Sequence, residues 1–246
     1  MSSPVKLYHQ EMHKNVGYFA TWLPTSPIEL GDIGVLEEGR FRRVASLKEL
    51  GIQLGAIREG TPENMSYSAS AKIGGNVSTA AGTPLPAAAE LAIQFMSRGG
   101  FVFESLGMQN VEIADRMALA ESVLKSYEKG HWQKNWLLVE ALYRAESATI
   151  IVSEESASEI VLKATSSMPL GSIPLADPKL GLTVSSSHGK LVHIMAKDNL
   201  HPLYSCVRVR DSVLFGGKSV APVRGAREQD RIRSLTRPAV EELLES

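Results

Sequence analysis

The sequence predicts an α+β fold: a mainly antiparallel, twisted sheet built from hairpins, with an N-terminal helix, one mid-chain helix and a short C-terminal helical tail. Three observations carry this. Apolar and polar residues alternate over several short stretches bounded by Gly, Pro and Ser, the pattern of half-buried strands. Two of those stretches are doubled around a glycine-containing turn. Signals for helices longer than one turn occur near the two ends and once in mid-chain.

Taken in order, Pro4–Asn15 is a helix with Ser3 as N-cap, Pro4 at its first position, a stripe of Val5, Leu7, Tyr8 and Met12, and Gly17 as its stop. Gly17–Leu23 reads as an aromatic strand halted by Pro24 and Pro27. A turn at Leu30 leads into a strand ending at Leu36, and Glu38-Gly39 turns the chain into Arg40–Val44. Ser46–Leu50 is one helical turn ended by Gly51. Met65–Ala80 is a small-residue strand with a thin apolar face, followed by Pro84 and Pro86. Leu91–Ser105 is a hairpin: Leu91, Ile93 and Phe95 share a face, Ser97-Arg98-Gly99-Gly100 turns, and Phe101 and Phe103 return. Val111–Lys129 is a helix with Ile113, Met117, Ala120 and Leu124 on its apolar side and Gly130 as stop. Trp136–Tyr143, Ala148–Val152 and Glu159–Ala164 are strands. Gly181–Ala196 is a second hairpin, turning at Ser187-His188-Gly189, and Leu203–Phe215 is the last strand region. Pro238–Leu244 forms the terminal helix.

A chain of 246 residues with 43% hydrophobic and 22% charged content suits one globular domain with a real core. The composition shift after Gly216 divides it into a body, 1–222, and a charged segment, 223–246. Lys plus Arg is 26 against 27 for Asp plus Glu, so no global charge favours nucleic acid. The single cysteine, Cys206, cannot form an intrachain disulfide and reads as a buried structural thiol. Residues 1–16 lack an apolar signal core, and no run matches the ~20 apolar residues of a membrane helix. The expectation is a cytoplasmic, soluble protein.

Catalytic patterns fail on their companions. His9 and His13 stand at i and i+4, but Gln10 follows the first histidine where a zinc protease needs Glu, so two exposed helix histidines are expected and no metal. Gly216-Gly217-Lys218-Ser219 resembles the end of a phosphate loop, yet Ser212 stands where its first glycine belongs. Ser122 and Lys125 have an acylase spacing without its partner motifs. His193 reads as a polar-face strand residue, and Trp132 and Trp136 as packing. A dispersed Ser/His site would need to gather two of Ser153, His188 and His193 with an acid. No enzyme and no cofactor are expected.

The element order carries a resemblance. A short helix and strand precede Leu30-Gly31-Asp32; a small-residue strand, a Phe-rich hairpin and a helix follow; Trp136 then leads into Ala145-Glu-Ser-Ala-Thr-Ile-Ile-Val-Ser153, a second hairpin and a charged tail. This resembles the bacterial gasdermins. The resemblance implies a latent pore former of anti-phage defence: a nearby protease removes the C-terminal segment, the body oligomerises in the inner membrane, and hairpins become strands of a large barrel that kills the cell. It implies an activating protease, membrane lipid and further copies of the chain as partners. It implies membrane-facing roles for Ile93, Phe95, Phe101 and Phe103, cleavage near Arg224, Arg227, Arg231 or Arg233, and tail packing through Leu235, Leu243 and Leu244. Pro238 disfavours a cut after Arg237. Many bacterial gasdermins carry a lipidated N-terminal cysteine; this chain opens Met-Ser-Ser-Pro. The alternative is a non-enzymatic interaction module, or a substrate in a protease-linked signalling system.

Overall fold

The computed structural model describes residues 4–21, 23–37, 40–77, 89–164, 175–213 and 231–236. Mostly antiparallel sheet with two helices, it is an α+β fold. The chain forms two compact units, one of Met1–Pro27, Gly60–Asn110 and Tyr143–Tyr204, the other of Ile28–Glu59, Val111–Leu142 and Ser205–Ser246. The expected boundary at 222–223 lies outside the described residues.

The first unit opens with helix α1 (Pro4–Val16), ended by Gly17, whose N–H bonds the His13 carbonyl at 2.8 Å. Tyr8 and Met12 are buried, as the apolar stripe requires. His9 is buried too, not exposed: α1 presents a face broad enough to take it into the core. Strand β1 keeps only Phe19–Ala20 of the expected Gly17–Leu23. Next come β5 (Glu63–Ala69), β6 (Ala71–Val77), β7 (Ala89–Phe95), β8 (Phe101–Ile113), β9 (Leu137–Ser153), β10 (Ser158–Lys163), β11 (Thr183–His188) and β12 (Leu191–Val213). Strands β8, β9 and β12 have residues in both units.

The pairing corrects both predicted hairpins. Strands β7 and β8 do not pair with each other: β7 lies between β6 and β10, whereas β8 pairs β5 and β9. Likewise β11 pairs β10, whereas β12 neighbours β9 and β1. Met65–Ala80 is also divided, β5 in one sheet and β6 in the other. The turn signals are where the sequence puts them, but they mark corners at which a strand leaves one sheet for the next.

Among the described residues two cores serve this unit. One gathers Tyr8, Met12, Phe101, Phe103, Ala148, Ile150, Val152, Leu200 and Leu203. The other gathers Leu91, Ile93, Phe95, Ile160 and Leu162 with Val102, Ile151, Leu175, Leu180 and Leu182.

The second unit holds β2 (Asp32–Glu37) and β3 (Arg40–Ser46), which pair antiparallel where two strands are expected; the expected turn at Glu38-Gly39 lies outside the described residues. Asp32, last of the Leu30-Gly31-Asp32 stretch, is buried; its carboxylate accepts the Glu29 N–H and Arg43 Nε, both at 2.8 Å. Strand β4 (Ile57–Glu59) pairs the end of β8. Helix α2 is Arg116–Glu128, shorter than expected at its start, because Val111 and Ile113 complete β8. Asp115 caps it, accepting from the Ala118 N–H at 2.9 Å. Its buried residues are Leu119 and Val123, and Met117 is 80% exposed, against the expected stripe. Glu140 is buried and held by Ser205 Oγ (3.1 Å) and Arg116 (3.5 Å). Trp132 is buried edge-on to Trp136. Strand β13 (Arg231–Thr236) pairs β12 antiparallel, Leu235 opposite Val209. This part of the tail is a strand; the expected helix at Pro238–Leu244 lies outside the described residues.

Candidate functional site: a seam of strand corners

Both sheets of the first unit follow one order. In one sheet it is β5–β8–β9–β12 and in the other β6–β7–β10–β11. The two sheets are thus halves of four chain paths, β5/β6, β7/β8, β9/β10 and β11/β12, each interrupted once. Every interruption carries a residue with positive φ: Ser70 (53°), Gly99 (79°), Ala157 (59°) and Gly189 (79°). Such a conformation costs a residue with a Cβ about 1–2 kcal/mol, so Ser70 and Ala157 are strained positions.

The four corners lie side by side. Met96 N–H bonds the Ser70 carbonyl at 2.9 Å. Gly99 N–H bonds the Ser153 carbonyl, and Ser153 N–H the Gly100 carbonyl, both at 2.8 Å. Glu154 N–H bonds the Lys190 carbonyl at 2.8 Å. One seam of main-chain bonds therefore crosses all four paths. The Ser153 hydroxyl is engaged by Ser158 Oγ and the Glu155 carbonyl, so it braces the third corner. His188 is exposed and His193 half-buried on the neighbouring path; a serine–imidazole pair is not what Ser153 forms.

Helix α1 rests on the second corner. A Cβ at Gly99 would meet Leu7 Cδ1 at 2.5 Å and Leu7 Cβ at 3.0 Å. One residue along the helix, Tyr8 stands edge-on to Phe101 at 5.0 Å. Burial raises the Tyr8 hydroxyl pKa and lowers that of His9 to about 4, so the imidazole is neutral at pH 7. Gly99→Ala is expected to destabilise the protein by about 1–3 kcal/mol, through its φ and the Leu7 contact. Ala157→Gly is expected to stabilise it by about 0.5–1 kcal/mol. Urea unfolding midpoints check both.

The corners also divide continuous apolar faces. On the second path Leu91, Ile93, Phe95, Phe101 and Phe103 share one parity; the first three enter one core and the last two the other. On the third path Ala148, Ile150 and Val152 enter one core, and Ile160, Leu162 and Ala164, of the same parity, the other. On the first path Met65, Tyr67 and Ala69 pack against one core and Ala71 against the other; Ile73, of the same parity, is 46% exposed and enters neither. The opposite parity holds Ser66, Ser68, Lys72, Glu90, Gln94, Arg98, Glu104, Ser147, Thr149 and Ser153, broken by Ala92, Met96, Val102, Ile151 and Val161. The fourth path alternates less cleanly, with His188 and Lys190 on the parity of Val184, Val192 and Ile194.

Ile93, Phe95, Phe101 and Phe103 are thus all buried, on both sides of one corner. Arg231, Arg233 and Leu235 lie in β13; Arg224, Arg227, Leu243 and Leu244 lie outside the described residues. Sequence reasoning missed the corners themselves, though Gly99 and Gly189 marked two of them. Among the described residues no cluster of His, Cys, Asp and Glu could hold a metal ion, and no helix is long and apolar enough to cross a membrane.

No family model matches the chain, and no curated protein matches it. Among solved structures the chain is similar to the cryo-EM structure of the Gasdermin A3 membrane pore, at 12% sequence identity, covering 93% of this chain and 97% of that one, with a TM-score of 0.32.

Proposed function

We propose that the protein is a latent, non-enzymatic pore former whose hairpins enter a membrane when the corner seam opens. The observation that supports this reading is the division of one period-2 apolar face between two cores at each of three corners. Straightened, the second path from Ala89 to Ile113 and the third from Leu137 to Lys163 each exceed the ~9–11 residues of a membrane strand. From Leu91 to Phe103 one parity would then face lipid and the other water, the requirement for a barrel wall, and on the third path the apolar parity would be Ala148–Val152 and Ile160–Ala164, with Glu154, Ser156 and Ser158 between them. Open edges are excluded from hydrocarbon, so closure takes further copies of the chain.

Latency, in this reading, rests on the C-terminal segment. Strand β13 occupies the edge of β12 from Arg208 to Val213 and also touches α2, and a cut before residue 231 would leave it held by non-covalent contacts, that ladder among them. The protease partner, a cytoplasmic latent state, an inner-membrane destination and a role in anti-phage cell death belong to the same proposal.

The test is dye release from anionic liposomes by the intact protein and by a version cut at an engineered protease site near Arg224. Release only after cutting is expected. With cutting verified and the protein still soluble, silence from both forms would sink the reading in favour of an interaction module.

A further inference from the structure

Residues Leu175–Leu182 are held by side chains from two strands. On β9, Ser147 and Thr149 stand two residues apart and so on one face. Ser147 Oγ donates to the Ala176 carbonyl at 2.5 Å, and Thr149 Oγ1 to the Leu175 carbonyl at 2.8 Å. On β8, Glu104 Oε2 accepts the Leu175 N–H at 2.6 Å, and Oε1 accepts Ser66 Oγ at 3.3 Å. Ser147 and Thr149 are both buried in a strand otherwise rich in Ala, Ile and Val. A buried hydroxyl must be paired, and the main chain of 175–176 is what pairs these two. Beyond the anchors, Pro178–Leu180 forms a short 3-10 turn capped by Asp177, and Leu175, Leu180 and Leu182 enter the core of Leu91, Ile93, Phe95, Ile160 and Leu162.

The three anchors belong to the polar faces of the second and third paths, opposite Phe101, Phe103, Ile150 and Val152. We infer that residues 175–182 are a strap, that Glu104, Ser147 and Thr149 are its latch, and that strap release sets the rate at which the corners open; this rests on the pore-forming reading above. In the folded protein the polar faces are satisfied by the strap's main chain. In straightened strands the same faces meet water, so the latch gives up its bonds without leaving a buried group unpaired. The resistance that remains is the exposure of the three leucines, which an apolar lipid surface would offset.

Hydrogen exchange of the intact protein without lipid reads strap opening directly, and dye release from phosphatidylglycerol vesicles by the cut protein reads its consequence. Thr149→Val and Ser147→Ala are each expected to speed exchange at 175–182 about fivefold, the weight of one ordinary hydrogen bond. The double variant is expected to speed release by a similar or larger factor. Thr149→Ser, which keeps the hydroxyl, is expected to restore both rates and so separates the latch from general destabilisation. Unchanged exchange in the double variant overturns the latch. Faster exchange with an unchanged release rate overturns the strap's role while the pore reading stands. Absence of release from the cut wild-type protein overturns the pore reading and the strap's role together.

Discussion

Ile73→Lys is expected to abolish dye release by the cut protein while leaving the intact protein folded. The expectation follows from the two environments of one side chain. In the folded protein Ile73 lies on β6, at the edge of its sheet, and is 46% exposed. Exchanging it for lysine there forfeits little buried area, about 1 kcal/mol or less, and lysine is well tolerated on an edge strand. In the straightened first path the same position belongs to the apolar face with Met65, Tyr67, Ala69 and Ala71. A lysine facing lipid near the bilayer midplane costs about 2–4 kcal/mol per copy, and every copy in a closed barrel bears it. Ser68→Lys, on the opposite parity, is the control: it would face water in both states and retain release. Thermal unfolding of the intact variants, run beside the release assay, separates a membrane defect from a folding defect. Loss of release in both variants, or in neither, would remove the assigned lipid-facing parity.

Acid is expected to destabilise the folded protein through His9. Its pKa is lowered from 6.5 to about 4 because burial disfavours the imidazolium. Nε2 is buried without a hydrogen-bond partner, so nothing in place would welcome a proton. The unfolded chain takes up that proton below about pH 6.5, and the folded chain only near pH 4. The stability is therefore fully present above the unfolded value and is lost as pH falls across this window, by up to about 3 kcal/mol. His9→Leu keeps an apolar side chain of moderate size at the site and removes the titration. Its urea midpoint is expected to be flatter than that of the wild type between pH 7 and pH 4. An equally steep fall in the variant would move the acid sensitivity elsewhere. Since α1 rests on the second corner through Leu7 and Tyr8, loosening the helix also unbraces the seam.

What was legible in the sequence is what local pattern determines. The stripe of Tyr8 and Met12 marked α1, and the strand signal ending at Leu36 with Glu38-Gly39 after it marked β2 and β3. The start of α2 was misread because Val111 and Ile113 are apolar at a spacing that fits a helix as well as a strand; the usable signal was Asp115, three residues before the N–H it caps. The pairing partners were not legible at all. Ser97-Arg98-Gly99-Gly100 and Ser187-His188-Gly189 announce a change of direction, and a hairpin turn and a sheet-to-sheet corner use the same glycine chemistry. Only the pairing of β7 with β6 and β10, and of β8 with β5 and β9, decides between them. Ser70 and Ala157 gave no signal, since neither is a usual left-handed residue. The strap's anchors left a faint one: Ser147 and Thr149, two apart and flanked by Ala148, Ile150 and Ile151.

The resemblance that the sequence carried and the seam that the fold displays bear on one another at the apolar parity. The resemblance implies membrane-facing roles for Ile93, Phe95, Phe101 and Phe103, which lie at alternate positions on either side of the turn. They are buried in two different cores, so the same four residues hold the folded protein together and would have to leave both cores for a straight strand to form. Under the proposed pore-forming reading, that double use predicts a latent state kept by a few covers, α1, the strap and β13, more than by one undivided core.

The central claim is that the corners open. Spin labels at Gln94 and Leu106, on β7 and β8, bracket the second corner. A straight strand separates them by about 40 Å at roughly 3.3 Å per residue. The account predicts a shorter distance in the intact protein and a shift to about 40 Å once the protein is cut and bound to anionic liposomes. A distance distribution that stays the same in the cut, membrane-bound protein would contradict it.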